Sequence, residues 1–166
     1  MMKYKTGIIT LSDKGSAGLR EDLSGPTIRE MLEADGRYEI VSEVLLPDDQ
    51  ILLESVLIDM CDHEGIELIL TTGGTGLSPR DITPEATMMV ATKMVPGIAE
   101  YLRYKSFEIT PKAMLSRGVA VLRNETLIVN LPGSLKAVKE NLSFLLPALD
   151  HGLDILLGRD GECGGK

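Results

Sequence analysis

The chain is poor in cysteine, in histidine and in long apolar runs, and each shortage removes a class of function. Two cysteines, Cys61 and Cys163, cannot build a disulfide framework, and no CxxC spacing exists. The two histidines, His63 and His151, lack metal-ligand spacing and read as structural or exposed. The longest apolar runs, such as Ile66–Leu70, fall far short of a membrane span. The start carries lysines but no long apolar segment or small-residue cleavage site, so it reads as a mature end. Positive charge is scarce as well: 17 Lys and Arg face 25 Asp and Glu, a formal net charge of −8. Such a surface repels polyanions. That argues against nucleic acid and anionic membrane as partners, yet leaves room for a small anionic ligand held by local cations. Cytoplasm is the expected compartment.

What is present fits one soluble domain. At 166 residues, 43% hydrophobic, the chain can bury a proper core. A single domain over 1–158 is expected, with the glycine-rich 159–166, carrying Cys163 as an incidental thiol, as a mobile tail.

Apolar, β-rich runs alternate with helix-like stretches, the signature of βαβ units and a mostly parallel sheet. Strands are expected at Tyr4–Leu11, Tyr38–Leu46 and Ile66–Leu70, the last buried on both faces. Ser24–Ala34 reads as a helix capped by Ser24, and Asp49–Glu64 as a helix with Ile51, Leu52, Val56 and Leu57 as its apolar positions. Thr83, Pro84 and Glu85 look like cap, first position and first-turn acid of another helix, and Pro96–Ser106 like a further one. Val119–Leu122 and Leu127–Val129 suggest an antiparallel hairpin at or near a sheet edge. Ser134–Leu146 and Pro147–Leu157 read as two closing helices. Cys61 reads as a core thiol, and Met88, Met89 and Met94 as packing rather than a binding surface.

In an open parallel sheet, ligands sit outside the carboxyl ends of the strands. The residues there are Ser12-Asp13-Lys14-Gly15-Ser16, Pro47-Asp48-Asp49, Thr72-Gly73-Gly74-Thr75-Gly76 and Asn130-Leu131-Pro132-Gly133-Ser134. Each combines small residues with hydroxyls or carboxylates, and parallel strands aim most of them at one edge. Glycine amides can approach a phosphate closely, although a GGTG run alone also suits a plain turn; it is neither a Walker loop nor a dinucleotide fingerprint. Asp81 is either a helix-start acid or a Mg²⁺ ligand beside Arg80, which could grip phosphate. Asp48 is either the cap of the following helix or a second acid sharing that metal. Ser12 and Ser134 have no histidine signature nearby, which argues against nucleophilic serine chemistry.

The stretches "TTGGTGLSPRDITPEAT", "LSDKGSAGLREDLSGPTI" and "VNLPGS" together resemble the molybdopterin-binding domain family of molybdenum cofactor synthesis, over about Lys5 to Leu157. The chain resembles the stand-alone bacterial adenylyltransferases of that family and is similar also to the gephyrin G domain. The resemblance implies a three-layer α/β/α sandwich and a homotrimer. It implies ATP- and Mg²⁺-dependent adenylylation of molybdopterin with release of pyrophosphate, or else a catalytically silent pterin-binding or scaffold relative. It further implies contact with the downstream molybdenum-insertion protein. Asp48 and Asp81 match acids tied to catalysis; Gly73 to Gly76, Ser12, Asp13, Gly133 and Ser134 map onto the pterin and nucleotide pocket. With Thr72, Arg80 and Pro132 they make up the expected site. Leu135 departs from the proline that many relatives carry there.

Overall fold

A computed structural model describes residues 2–159. Strands β1 (Tyr4–Leu11), β2 (Tyr38–Leu46), β3 (Leu68–Thr72), β4 (Lys93–Met94), β5 (Ala120–Arg123) and β6 (Thr126–Leu131) form one sheet. Helices are α1 (Asp13–Ser16), α2 (Ser24–Asp35), α3 (Gln50–Asp62), α4 (Thr83–Val90), α5 (Pro96–Phe107) and α6 (Leu135–Leu156), with a 3₁₀ turn at Pro111–Leu115. The sheet order is β2-β1-β3-β6-β5-β4. The first four strands of that order are mutually parallel, and at one edge β5 runs antiparallel to both its neighbours, β6 and β4.

Alternation along the strands makes three layers. Ile8, Leu68, Leu70, Leu127, Val129 and Leu131 face a core closed by α2, α5 and α6. Their neighbours Ile9, Leu11, Ile69 and Ile128 face the opposite core, closed by α3 and α4. The expected sandwich, mostly parallel sheet and hairpin are all present. The hairpin turns through Asn124 at φ 52°, a conformation asparagine tolerates.

Several local expectations give way to tertiary structure. The two closing helices are one helix of 22 residues, with Pro147 inside it. An internal proline costs a hydrogen bond and a clash one turn back, ~3 kcal/mol or more. Val138, Leu142, Leu145, Leu149 and Leu153 nevertheless form one buried row across it, at roughly 1.5–3 kcal/mol for each large side chain. The row wins. On α3 the buried positions are Leu53, Leu57 and Met60, whereas Ile51 and Leu52 are exposed. Ser24 and Thr83 sit inside their helices rather than capping them. Asp22 accepts from the Ser24 and Gly25 amides instead, and both hydroxyls reach carbonyls elsewhere. Met88, Met89 and Met94 are exposed, not packed. Cys61 is half-buried, as a core-side thiol should be. Gly158 and Arg159 are in place, with Arg159 paired to Glu67; the tail expectation for 160–166, including Cys163, lies outside the described residues.

Candidate active site at the carboxyl ends of the strands

The four loops after β1, β2, β3 and β6 converge as the parallel sheet requires. Ser12 Oγ accepts from the Gly15 amide and starts α1. The next residue locks the first loop to the second: Asp13 N donates to Asp48 Oδ2 at 3.1 Å, and Asp48 N donates to Asp13 Oδ1 at 3.0 Å. The cap of α3 is Asp49, whose carboxylate accepts from the Leu52 amide. Asp48 is therefore released from that structural task.

The third loop is shaped by glycine. Gly73 and Gly74 hold φ of 94° and 67°, where side chains are strained. A Cβ on Gly74 would lie 2.3 Å from Thr83 Oγ1 and 3.1 Å from Asp48 Oδ1. Thr83 Oγ1 donates to Gly73 O, so the buried hydroxyl holds the turn from beneath. Asp81 folds back on the same loop, with Oδ2 accepting from the Ser78 amide and 2.9 Å from where a Gly76 Cβ would stand. The fourth loop is tied on by Thr72 Oγ1, which donates to Pro132 O, and Ser24 Oγ, which donates to Gly133 O. A Cβ on Gly133 would stand 3.2 Å from Gly73 Cα. Ser134 caps α6 by accepting from the Ala137 amide.

These loops enclose a cleft of about 570 Å³. Ser12, Asp13, Asp48, Thr72, Gly73, Gly74, Asp81, Gly133 and Ser134 line it, as the sequence led us to expect. Thr75, Gly76, Arg80 and Pro132 do not. Thr75 is buried behind the loop, and Pro132 lines a second cavity of about 320 Å³ between α5, the 3₁₀ turn and α6. Both cavities share Ser134. Arg80 stands at the rim, its guanidinium forked onto both Asp13 oxygens at 2.9 Å. That fork, then the Asp48 amide, holds the Asp13 carboxyl below its ordinary range.

Asp48 is the electrostatic oddity. Oδ1 is buried with no hydrogen-bond partner. Burial pushes the carboxyl above its ordinary range, and the negative charges of Asp13 and Asp81 push the same way. An orphaned carboxylate oxygen is costly unless something else binds it. Among the described residues no group of three or more His, Cys, Asp or Glu could cage a metal. Mg²⁺, however, needs only one or two carboxylates, taking its other oxygens from phosphates and water. Two hard carboxylates beside the GGTG loop suit that ion.

Sequence reasoning missed Lys14 and Arg20, the cations that line the cleft, as well as Asp22 and Ser24. Lys14 lies within an exit already noted, and the other three within the quoted stretch LSDKGSAGLREDLSGPTI, where Ser24 reads only as a helix cap.

The family model described as a probable molybdopterin binding domain matches residues 7–151. The chain belongs to that family. A molybdopterin adenylyltransferase of Helicobacter pylori is 43% identical over 164 residues, covering 95% of this chain and 90% of the relative. The Escherichia coli K12 protein of the same name is 40% identical over 144 residues, covering 86% and 73%. Among solved structures, the molybdopterin biosynthesis enzyme MoaB of a Thermus species superimposes with a TM-score of 0.88 at 48% identity, over 93% of this chain and 97% of that one. Membership accounts for the sheet order and for the convergence of four loops on one edge. No helix among the described residues is long and apolar enough to cross a membrane.

Proposed function

We propose that this molybdopterin-binding domain is a molybdopterin adenylyltransferase acting in molybdenum cofactor biosynthesis. A terminal phosphate oxygen of molybdopterin attacks the α-phosphorus of ATP. The bond from that phosphorus to the bridging oxygen breaks, and pyrophosphate leaves with the electron pair. A phosphate monoester is largely ionised near neutral pH, so no general base is needed. Catalysis is then mainly alignment and charge neutralisation.

The observation that carries this reading is the buried, unpartnered Oδ1 of Asp48 beside the GGTG turn, in a cleft shared with Asp81. In our reading Asp48 and Asp81 hold Mg²⁺, which when bound neutralises phosphate charge. Lys14 and Arg20 attract the anionic substrates, and the GGTG amides and the Gly133–Ser134 turn orient phosphate oxygens. Ser12, Asp13, Thr72 and Pro132 act by holding those loops together. Arg80 exchanges Asp13 for phosphate when substrate enters. The adjoining cavity, with Asn130, Asn141 and Ser106 on its walls, takes one of the two heterocycles.

We further assign a homotrimer. Met88, Met89 and Met94 on α4 and β4, and Tyr101, Tyr104 and Phe107 on α5, are exposed apolar side chains that such an assembly would bury. The cytoplasm and contact with a downstream molybdenum-insertion protein complete the proposal. Purified protein given molybdopterin, ATP and Mg²⁺ should yield adenylated pterin and pyrophosphate in equal amounts. Tight pterin binding without turnover would instead make it a silent binding relative. Light scattering at micromolar concentration should return three times the chain mass, and a monomer would contradict the trimer.

A further inference from the structure

Arg117 lies in the lead-in to β5, between Ser116 and Gly118, which both line the smaller cavity. Its side chain turns the other way. Nε donates to Gly76 O at 2.7 Å and Nη2 to Asp81 O at 2.9 Å, while Nη1 pairs with the Glu85 carboxylate. Its own amide donates to Thr75 O at 2.9 Å. One guanidinium thus pins both ends of the 76–81 loop and the first turn of α4. Inside that loop the Asp81 carboxylate accepts from Ser78 N, and Asp81 N donates to Ser78 O. The lead-in is itself held from the smaller cavity, where Arg103 Nη1 donates to Gly118 O at 2.7 Å.

An Arg117–Glu85 pair on its own would be a partly exposed ion pair worth little, since about a third of each side chain is accessible. The two backbone carbonyls change the assignment. They need a planar fork with several donors in fixed directions, which arginine supplies and lysine does not. A loop pinned at both ends has few ways to reposition the acid at its far end.

We infer that Arg117 is a positioning residue that sets the Asp81 carboxylate against the GGTG turn from the wall of the neighbouring cavity. This rests on the catalytic role proposed for Asp81. The test is a double-variant cycle in single-turnover adenylyl transfer with Arg117→Lys, Asp81→Asn and the two combined. Displacing a reacting group by an ångström costs on the order of a hundredfold, so Arg117→Lys should slow transfer by about tenfold to a hundredfold with little change in KM for ATP. The combined variant should be no slower than Asp81→Asn alone. Losses that multiply in the combined variant would overturn the inference. Glu85→Gln should leave most of the rate, because the bonds to Gly76 and Asp81 survive it. If the wild type shows no turnover, the functional reading fails first, and amide exchange then decides about Arg117. The Ser78 and Asp81 amides should exchange faster in Arg117→Lys than in wild type, and unchanged exchange would overturn the positioning role with or without activity.

Discussion

The two ends of the parallel sheet use the same kinds of residue in opposite ways. At the amino end a cluster of four carboxylates is partnered. Asp35 is forked by Arg37, Asp150 pairs with Arg37, Asp154 accepts from Tyr4 Oη at 2.7 Å, and Glu67 pairs with Arg159. Tyr4 and Tyr38 pack between these groups with ring centres 5.7 Å apart and planes tilted by 41°, each under an arginine. The atoms left over there are the Tyr38 hydroxyl and one nitrogen of the paired Arg159. At the carboxyl end the leftover is a carboxylate oxygen, Asp48 Oδ1, beside a turn whose positive φ angles glycine alone takes easily. An end built for cohesion satisfies its charges, and an end built for chemistry leaves one open.

The largest break in that contrast should come from Asp81→Asn. It keeps a side-chain oxygen for the Ser78 amide, so the fold should hold, while adenylyl transfer should fall by roughly 10²–10³, the usual loss on removing one group that stabilises developing charge. Gly74→Ala comes next and strikes both properties. Its Cβ would stand 2.3 Å from Thr83 Oγ1 at a positive φ, so strain of order 1–3 kcal/mol should lower the melting temperature, and the displaced turn should slow transfer. A Gly74→Ala protein with wild-type melting and rate would remove the turn from the account.

Tyr4→Phe perturbs the other end. It deletes the bond to Asp154 and should cost about 1 kcal/mol in denaturant unfolding, with the transfer rate unchanged. Altered chemistry in Tyr4→Phe would mean that the two ends are not separable. The smallest effects lie in pH dependence. Arg37 lowers the Asp35 carboxyl, so its stabilisation is present above the unfolded value and fades as pH falls through the folded one. Burial raises Asp48, so its relative contribution is best in acid and declines as pH rises through its folded value. Melting curves from pH 3 to 7, values spanning the ordinary carboxylate range of about 4, should therefore show Asp35→Asn below wild type at neutral pH and Asp48→Asn at or above it, both gaps narrowing in acid. Parallel displacements in the same direction would contradict the contrast.

Much of this architecture is written locally. Tyr4–Leu11 and Tyr38–Leu46 carry strand patterns that end where the strands end, and the exits that follow them bring Ser12, Asp13, Lys14, Gly15 and Asp48 to the cleft. What local pattern could not show is competition. Ser24 and Thr83 look like caps because serine and threonine often are, but distant carbonyls at Gly133 and Gly73 claim their hydroxyls. Pro147 looks like a helix break until the buried row on both sides of it is seen against the sheet. Arg117 carries no motif, and its meaning comes only from what the fold brings opposite it. The methionines of α4 and β4 are apolar in sequence whether they face a core or open surface, and here they face outward.

The central claim is that Asp48 is held open, at a cost to the fold, for the substrates and their metal. The most direct measurement pairs melting temperature with the single-turnover rate of Asp48→Asn beside wild type near pH 7. The asparagine still accepts from the Asp13 amide but removes the buried charge. The account predicts a protein that melts at or above the wild-type temperature yet transfers the adenylyl group slower by roughly two orders of magnitude or more. A lowered melting temperature with a near-normal rate would contradict it and make Asp48 a structural acid.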